Sequence, residues 1–419
     1  MPLSVLEKFV IDAIDPDAIV ADLTSLVAIP SVGGSTAEVV VQRWCAERLA
    51  SLGGDVDLWK LDLPELRAAD GYPGEEVVRN NALGCVATFG AGNSPLIFAG
   101  HTDVVPSGDV RAWSSDPWRL RRDRDRFVGR GACDMKGGLA AVFGALAALR
   151  ASGTTTPSVA VHCVIGEEDG GLGTFATLER GHGGRACVLA EPTGRRAVTA
   201  NAGSLTFHLE VPGLAAHGSV RTLGVSALDA AAPVLAALRQ LEARRNRDVD
   251  AVVSHLDLAY PLSIGVVRAG DWASTVPDLL VAEGRYGVRL GESVEHARAD
   301  LEAAVTAASV SDPWLSEHPA RVTWPGGVFA PGRLPEGHPL LDEVQAACAD
   351  AADWKVEATG APYGSDLRLY AAAGIPTLQL GPGEVAAAHS ADEYVPLADM
   401  VECAQAYAVL ALRLGGWRG

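Results

Sequence analysis

The chain carries seven cysteines and no C-x-x-C pair among them. An odd number of widely spaced thiols (Cys45, Cys85, Cys133, Cys163, Cys187, Cys348, Cys403) argues against a disulfide framework and predicts reduced core residues. Long apolar runs are also missing: the longest weakly polar stretch, residues 137–149, is rich in Ala and Gly and falls short of the roughly 18 to 20 residues that span a bilayer. Glu7, Lys8, Asp12, Asp15 and Asp17 interrupt the first twenty positions and leave no signal-peptide core. These absences predict a cytoplasmic protein with no membrane partner. Positive charge is scarce, 34 Lys and Arg against 52 Asp and Glu for a net charge of −18. Such a balance repels phosphate backbones and argues against nucleic acid as a partner. No G-x-S-x-G nucleophile elbow, H-E-x-x-H helix, internal repeat or low-complexity linker occurs.

What is present is an ordinary globular chain, 48% hydrophobic and 21% charged over 419 residues, long enough for two or three domains at roughly 100 to 200 residues each. Apolar residues recur at helical spacing over 17–29 and 36–52, with Pro30 and Gly53-Gly54 as stops. Short apolar runs at 95–99, 158–165 and 186–190 each end in a polar cluster and alternate with helical stretches at 137–150 and 170–179. This is the texture of a sheet with helices on its faces. After Thr193 the texture changes. One alternating strand over 198–211, a helix over 226–244, strands at 261–267 and 279–289, a helix over 292–308 and a strand at 320–324 form a β-α-β-β-α-β order, which builds a two-layer sandwich. The α/β texture returns with helices from 337 to 352 and 366 to 373, a strand at 376–380 and a closing helix over 397–414.

The acidic and histidine clusters follow apolar strands, where an open α/β sheet places its binding crevice. They are Gly100-His101-Thr102-Asp103, Gly131 to Gly138 around Asp134, Gly166-Glu167-Glu168-Asp169-Gly170-Gly171, Ala190-Glu191-Pro192 and, near the C-terminus, Ala388-His389-Ser390. Histidine nitrogens and carboxylate oxygens without thiolates suit Zn²⁺ or a similar divalent ion. Each residue alone has a plainer reading: His101 as a hydrogen-bonded structural histidine, Asp134 as a helix cap, Glu167-Glu168 as a solvated acidic turn, Glu191 as a loop acid. Two adjacent carboxylates between a Val/Ile strand and a Gly-Gly turn repel unless a cation or proton is shared. Asp103, two residues beyond His101, can accept the second ring N–H and fix the tautomer.

Five collinear strings, Phe98 to Pro106, Gly129 to Gly138, Gly166 to Thr174, Ala190 to Thr193 and the His389 region, resemble the acetylornithine deacetylase / succinyl-diaminopimelate desuccinylase family of dinuclear zinc amidohydrolases and metallopeptidases. The resemblance runs over nearly the whole chain. It implies an α/β protein of two domains: a zinc-peptidase-like catalytic domain (1–200 and 329–419) and an inserted ferredoxin-like lid and dimerisation domain (201–328).

Carried onto this sequence, the resemblance implies two divalent metal ions per chain, Zn²⁺ with Co²⁺ or Mn²⁺ as alternatives. One is held by His101, Asp134 and Glu191, the other by Asp134, Glu168 and His389. Glu167 would be the general base and Asp103 the residue that orients His101. His217, in Gly213-Leu-Ala-Ala-His217-Gly-Ser219, would reach the partner's site in a homodimer and stabilise the oxyanion. Relatives carry an asparagine near Ser274 or Thr275, and its absence here puts that substrate contact in question. Arg285 or Arg289 would anchor a substrate carboxylate. Ser365 and Arg368 belong to a stretch that lines the site, although an Arg368–Asp366 structural pair is equally natural. The implied reaction is cleavage of the amide of an N-acyl amino acid, a small carboxylated substrate, by metal-bridged hydroxide. A dipeptidase or carboxypeptidase with the same core is the alternative, and a non-catalytic metal-binding relative a third reading.

Overall fold

A computed structural model describes residues 2–92, 94–153 and 157–415. They form two compact units. The first comprises the described residues of Met1–Ala200, Arg333–Thr359 and Asp366–Gly419, and the second Asn201–Gly332 and Gly360–Ser365. The short Gly360–Ser365 segment, expected in the catalytic domain, packs in the second unit because its glycines admit close neighbours. A Cβ at Gly360 would stand 2.5 Å from a Val253 methyl, and one at Gly364 would stand 2.4 Å from Phe329.

In the first unit the strands run in the spatial order Asp55–Lys60, Leu83–Phe89, Val159–Val164, Leu96–His101, Ala186–Leu189, Thr377–Gln379, Arg196–Asn201. Leu96–His101 lies parallel to both of its neighbours, and Thr377–Gln379 is parallel to Ala186–Leu189. The three central strands are buried at every position, which is why they read as continuous apolar runs. On one face, helix Gly137–Ala151 packs against Pro16–Val27 and Leu397–Leu414, which in turn contacts Pro339–Ala352. Asp15 starts Pro16–Val27 by accepting the N–H groups of Asp17 and Ala18, with Pro16 at the first helical position, where its missing N–H costs nothing. Residues Ala132–Ala151 are long and apolar enough to cross a membrane, yet 89% of that window is buried within the fold. It is a core helix.

The second unit has antiparallel strands in the order Leu262–Ala269, Leu279–Val288, Gly203–Pro212, Arg321–Thr323. Helices Ala227–Arg245 and Val294–Ser311 pack against each other, capped by Ser226 and Ser293. The core joins Leu205, Phe207 and Leu209 to Val234, Leu238 and Leu301. This is the expected β-α-β-β-α-β sandwich with two corrections. The single strand expected over 198–211 is two, Arg196–Asn201 and Gly203–Pro212, in different sheets. A two-residue alternation continues through Ala202 whichever sheet accepts it, so the pattern could not reveal the break. Arg289 lies beyond the strand end at Val288, exposed, its backbone N–H donating to Glu292.

Candidate metal centre

The parallel strands deliver the acidic clusters to one edge. His101 ends Leu96–His101, Glu167 and Glu168 follow Val159–Val164, and Glu191 follows Ala186–Leu189. Asp134 comes from a turn, Ala132–Lys136, immediately before helix Gly137–Ala151, with extended φ/ψ and a cis peptide to Met135. The glycine pair that opens this helix has a steric cause: a Cβ at Gly138 would stand 1.9 Å from the Ala190 carbonyl oxygen. Lys136, fully buried, donates to the carbonyls of Leu26 and Ile29 at 3.0 and 2.9 Å, tying the turn to the C-terminal end of helix Pro16–Val27. His389 sits just after the Val385–Ala387 turn at φ +58°, a left-handed backbone that costs a non-glycine residue about 1–3 kcal/mol and tends to mark functional positions.

Two groups of donors result, His101–Asp134–Glu191 and Asp134–Glu168–His389, each with its donor atoms within 4.8 Å of one another. Asp134 is common to both and faces them with different oxygens. Its Oδ1 lies 3.0 Å from His101 Nε2, and its Oδ2 lies 3.5 Å from His389 Nε2. His101 Nε2 is 3.9 Å from Glu191, and His389 Nε2 is 3.1 Å from Glu168. All five residues expected to hold metal are therefore brought together.

Asp103 is fully buried but acts differently from expectation. His101 Nδ1 meets the Asp103 main-chain carbonyl at 2.9 Å, while the carboxylate lies 3.8 Å away. A carbonyl oxygen can only accept, so Nδ1 carries a proton, and Nε2 is the ring nitrogen that faces Asp134. The Asp103 carboxylate instead accepts the backbone N–H groups of Glu167 and Glu168 at 3.4 and 3.3 Å. Strand periodicity identifies a shared side, not which oxygen of a residue beyond the strand end makes the bond.

The loop bearing Glu167 and Glu168 is pinned at two further points. Arg368 donates to the Gly170 carbonyl at 2.6 Å and lies 3.7 Å from Asp366, whose other oxygen accepts from Thr174 at 2.5 Å. Arg368 is 5% exposed, so its guanidinium supports the loop, in line with the Arg368–Asp366 pair. Asp169 forms two 2.8 Å bonds with buried Arg79, whose remaining donors meet Glu38 at 2.9–3.2 Å. Sequence reasoning misses Arg79 and Glu38. Their only signal is an unpaired acid in Glu167-Glu168-Asp169, and the partners lie about 90 and 130 positions upstream of it.

Burial raises the Glu167 carboxyl well above its ordinary range, with the charges of Glu191 and Asp366 adding to the shift. The same causes act on Glu191: burial raises it, opposed by His101 and reinforced by Asp134 and Glu168. His389 is pushed up to about 10 by its bonds to Asp134 and Glu168. Four carboxylates crowded around two imidazoles need more positive charge than the two rings supply. The nitrogen and oxygen donor set, with no thiolate in either group, fits hard to borderline divalent ions. Glu167 belongs to neither donor group, although it neighbours Glu168 and is 8% exposed.

The remaining expected residues lie in the second unit. His217 is exposed and caps the turn Gly218–Leu223, its Nδ1 accepting from the Ser219 N–H at 3.2 Å and lying 2.8 Å from the Ser219 hydroxyl. A main-chain N–H can only donate, so the neutral ring keeps its proton on Nε2. The His217 segment is tied to the 274–276 stretch: Gly218 N–H donates to the Ser274 carbonyl at 2.6 Å, and His217 bridges Thr275. Arg285 lies in strand Leu279–Val288, half-buried, 6.0 Å from the Phe329 ring. Ser365 is buried.

Strand ends and two turns bring together two donor groups that share one carboxylate, with a further buried acid beside them, an arrangement of the kind two-metal hydrolases use. Residues 97–413 match the profile of Peptidase family M20/M25/M40, and the chain belongs to that family, whose members are metal-dependent amidohydrolases. It is 28% identical over 391 residues to the N-formyl-4-amino-5-aminomethyl-2-methylpyrimidine deformylase of Bacillus subtilis (strain 168), covering 86% of each chain. It is 30% identical over 324 residues to the acetylornithine deacetylase of Vibrio atlanticus (strain LGP32), covering 74% of this chain and 79% of the relative. The crystal structure of human carnosine dipeptidase 1 matches with a TM-score of 0.77 at 16% identity over 100% of both chains, a likeness of fold.

Proposed function

We propose that the protein is a deacylase that cleaves the amide of an N-acyl amino acid or a related small carboxylated amide. The observation that carries this reading is Glu167, a buried acid beside two donor groups and outside both. Such a group can accept a proton without giving up a metal ion. His101, Asp134 and Glu191 would hold one ion and Asp134, Glu168 and His389 the other, with Zn²⁺ favoured and Co²⁺ or Mn²⁺ compatible with the same donors. Divalent ions bound there lower the pKa of coordinated water and polarise the scissile carbonyl. Glu167, its carboxyl raised by burial, takes the proton from the attacking water and returns it to the leaving amine. His101 is oriented by the Asp103 carbonyl, and the Asp103 carboxylate holds the backbone of Glu167 and Glu168.

His217 offers its Nε2–H as the oxyanion donor in a partner's site. The homodimer this requires is supported by the second unit's edge strand, Leu262–Ala269, which has no buried residue and exposes Val267, with Trp272 exposed just beyond. Open strand edges pair readily with a second copy. Arg285, half-buried in the neighbouring strand, is favoured over the exposed Arg289 as the carboxylate anchor, with Ser365 in the lining. All seven cysteines are free and buried, which supports a reduced, cytoplasmic setting.

The deacetylase and deformylase relatives favour an acyl substrate, and the dipeptidase-like fold keeps peptides as the second reading. The test is amine release from N-acetyl, N-succinyl and N-formyl amino acids and dipeptides by chelator-stripped protein, with and without Zn²⁺ or Co²⁺. Metal-restored turnover of an acyl amino acid supports the proposal. Turnover confined to dipeptides replaces it with the peptidase, and none with two ions bound points to a specialised amide outside the panel or to the non-catalytic relative.

A further inference from the structure

Glu393 is 1% exposed and takes no part in either donor group, yet its carboxylate accepts four hydrogen bonds beside them. One oxygen accepts the backbone N–H groups of Cys133 at 2.8 Å and Asp134 at 3.0 Å. The other accepts the Gly131 N–H at 3.0 Å and the Arg130 guanidinium at 2.7 Å. In return, the Glu393 carbonyl accepts the Gly129 N–H at 2.9 Å. The next residues, Tyr394–Pro396, pair antiparallel with Arg126–Val128. Just upstream, Asp392 accepts the N–H and hydroxyl of Ser114 at 2.9 Å each. The Arg130 guanidinium is itself held over the Trp113 ring, 5.0 Å from its centroid.

The two segments joined here are those that carry Asp134 and His389, and these two side chains complete the Asp134–Glu168–His389 group. His389 lies four positions before Glu393, and both His389 and Asp392 have positive φ, so this stretch follows a specific path whose C-terminal end is anchored on the Asp134 turn. We propose that Glu393 is a positioning residue: by binding the amide of Asp134 and the turn before it, it sets the separation of Asp134 from His389 and thereby the affinity of the second ion position. The other position draws on His101 and Glu191, which leave strands of the sheet, and depends on Glu393 only through Asp134. Outer residues of this kind commonly alter metal affinity ten- to a hundred-fold. The inference rests on the metal-centre reading above.

The experiment titrates Co²⁺ into metal-free protein, following the visible absorption of the bound ion and the stoichiometry by calorimetry. Wild type taking up two equivalents tests the centre itself. Glu393→Gln keeps the size of the side chain but sets an amide NH₂ against donors, and it is expected to bind one equivalent nearly as wild type and the second at least ten-fold more weakly, with an altered spectrum. Excess Co²⁺ is expected to restore that spectrum. Glu393→Asp keeps the charge with a shorter reach and is expected to show a smaller loss of the same kind. Wild-type affinity for both ions in either folded variant overturns the proposal. Should neither variant fold, hydrogen exchange on metal-free wild type decides: amides of Gly131, Cys133 and Asp134 protected like the core support a preformed clamp, and exchange at open-loop rates overturns it. Failure of wild type to bind metal would refute the centre, while the exchange result would still judge the clamp.

Discussion

Replacing Arg79 with methionine should destabilise the first unit by about 3–5 kcal/mol, the usual cost of removing one partner of a fully buried ion pair. The Arg79 side chain is 0% exposed, and its partners Glu38 and Asp169 are 1% and 9% exposed, so solvent screening offers little discount. Arg79 provides five side-chain hydrogen bonds to these two acids. A methionine side chain would fill most of the volume and satisfy none of them. For a unit of about 280 residues, an unfolding entropy of roughly 2.1 cal/mol/K per residue converts the loss into a fall of about 5–8 °C in melting temperature. The pH dependence supplies a second check. Burial already pushes the Glu38 carboxyl up to about 7 against the pull of Arg79, and without the guanidinium it rises further. A carboxyl whose folded pKa lies above its unfolded value contributes stability at low pH that is lost as pH rises. The difference between wild type and variant should therefore widen from pH 6 to pH 9. Urea unfolding at both pH values measures it. A loss below about 1 kcal/mol, or one that shrinks toward pH 9, would refute the argument that the acids are held apart from water by this one cation.

Three further outcomes are expected. Glu167→Gln should lower turnover by roughly 10²- to 10⁴-fold while the ion content by elemental analysis stays at that of wild type; loss of metal would instead make Glu167 a ligand. Gly138→Ala should cost about 1–3 kcal/mol through overpacking, because the added methyl meets the Ala190 carbonyl next to Glu191, and unchanged denaturant midpoints would contradict that close approach. His162 is held down at about 3 by burial, with His182 adding a smaller effect. Since its folded value lies below the unfolded one, stability should be lost as pH falls from about 6.5 toward 3, by up to about 1.4 kcal/mol per pH unit. His162→Gln should flatten that slope, and parallel stability–pH curves would sink the assignment.

Much of the fold was legible because local rules and global structure agree. The closing helix expected over 397–414 is Leu397–Leu414 in the structure, and the helix expected over 337–352 is Pro339–Ala352. The buried strands showed themselves as unbroken apolar runs. Less visible were Asp55–Lys60, where only partly buried residues alternate, and the small sheet that pairs Arg126–Val128 with Tyr394–Pro396. That pairing joins segments over 260 residues apart, and three-residue strands have no periodicity to read.

The amino-acid sequence by itself determined the donor types and the strand-end placement of His101, Glu167, Glu168 and Glu191, because a fully buried apolar strand can release its polar residues only where it leaves the sheet. It also determined the fold class and, through its collinear motifs, the family. Tertiary structure decided which atoms do what. The Asp103 carbonyl rather than its carboxylate meets His101, Arg368 turns to Gly170 and Asp366, and Arg79 and Glu393 hold the acidic loop and the Asp134 turn. Those choices rest on hydrogen bonds between groups far apart in the chain, where direction and distance arise from packing. A one-dimensional pattern carries residue type and spacing, and neither contains the orientation of a buried carboxylate.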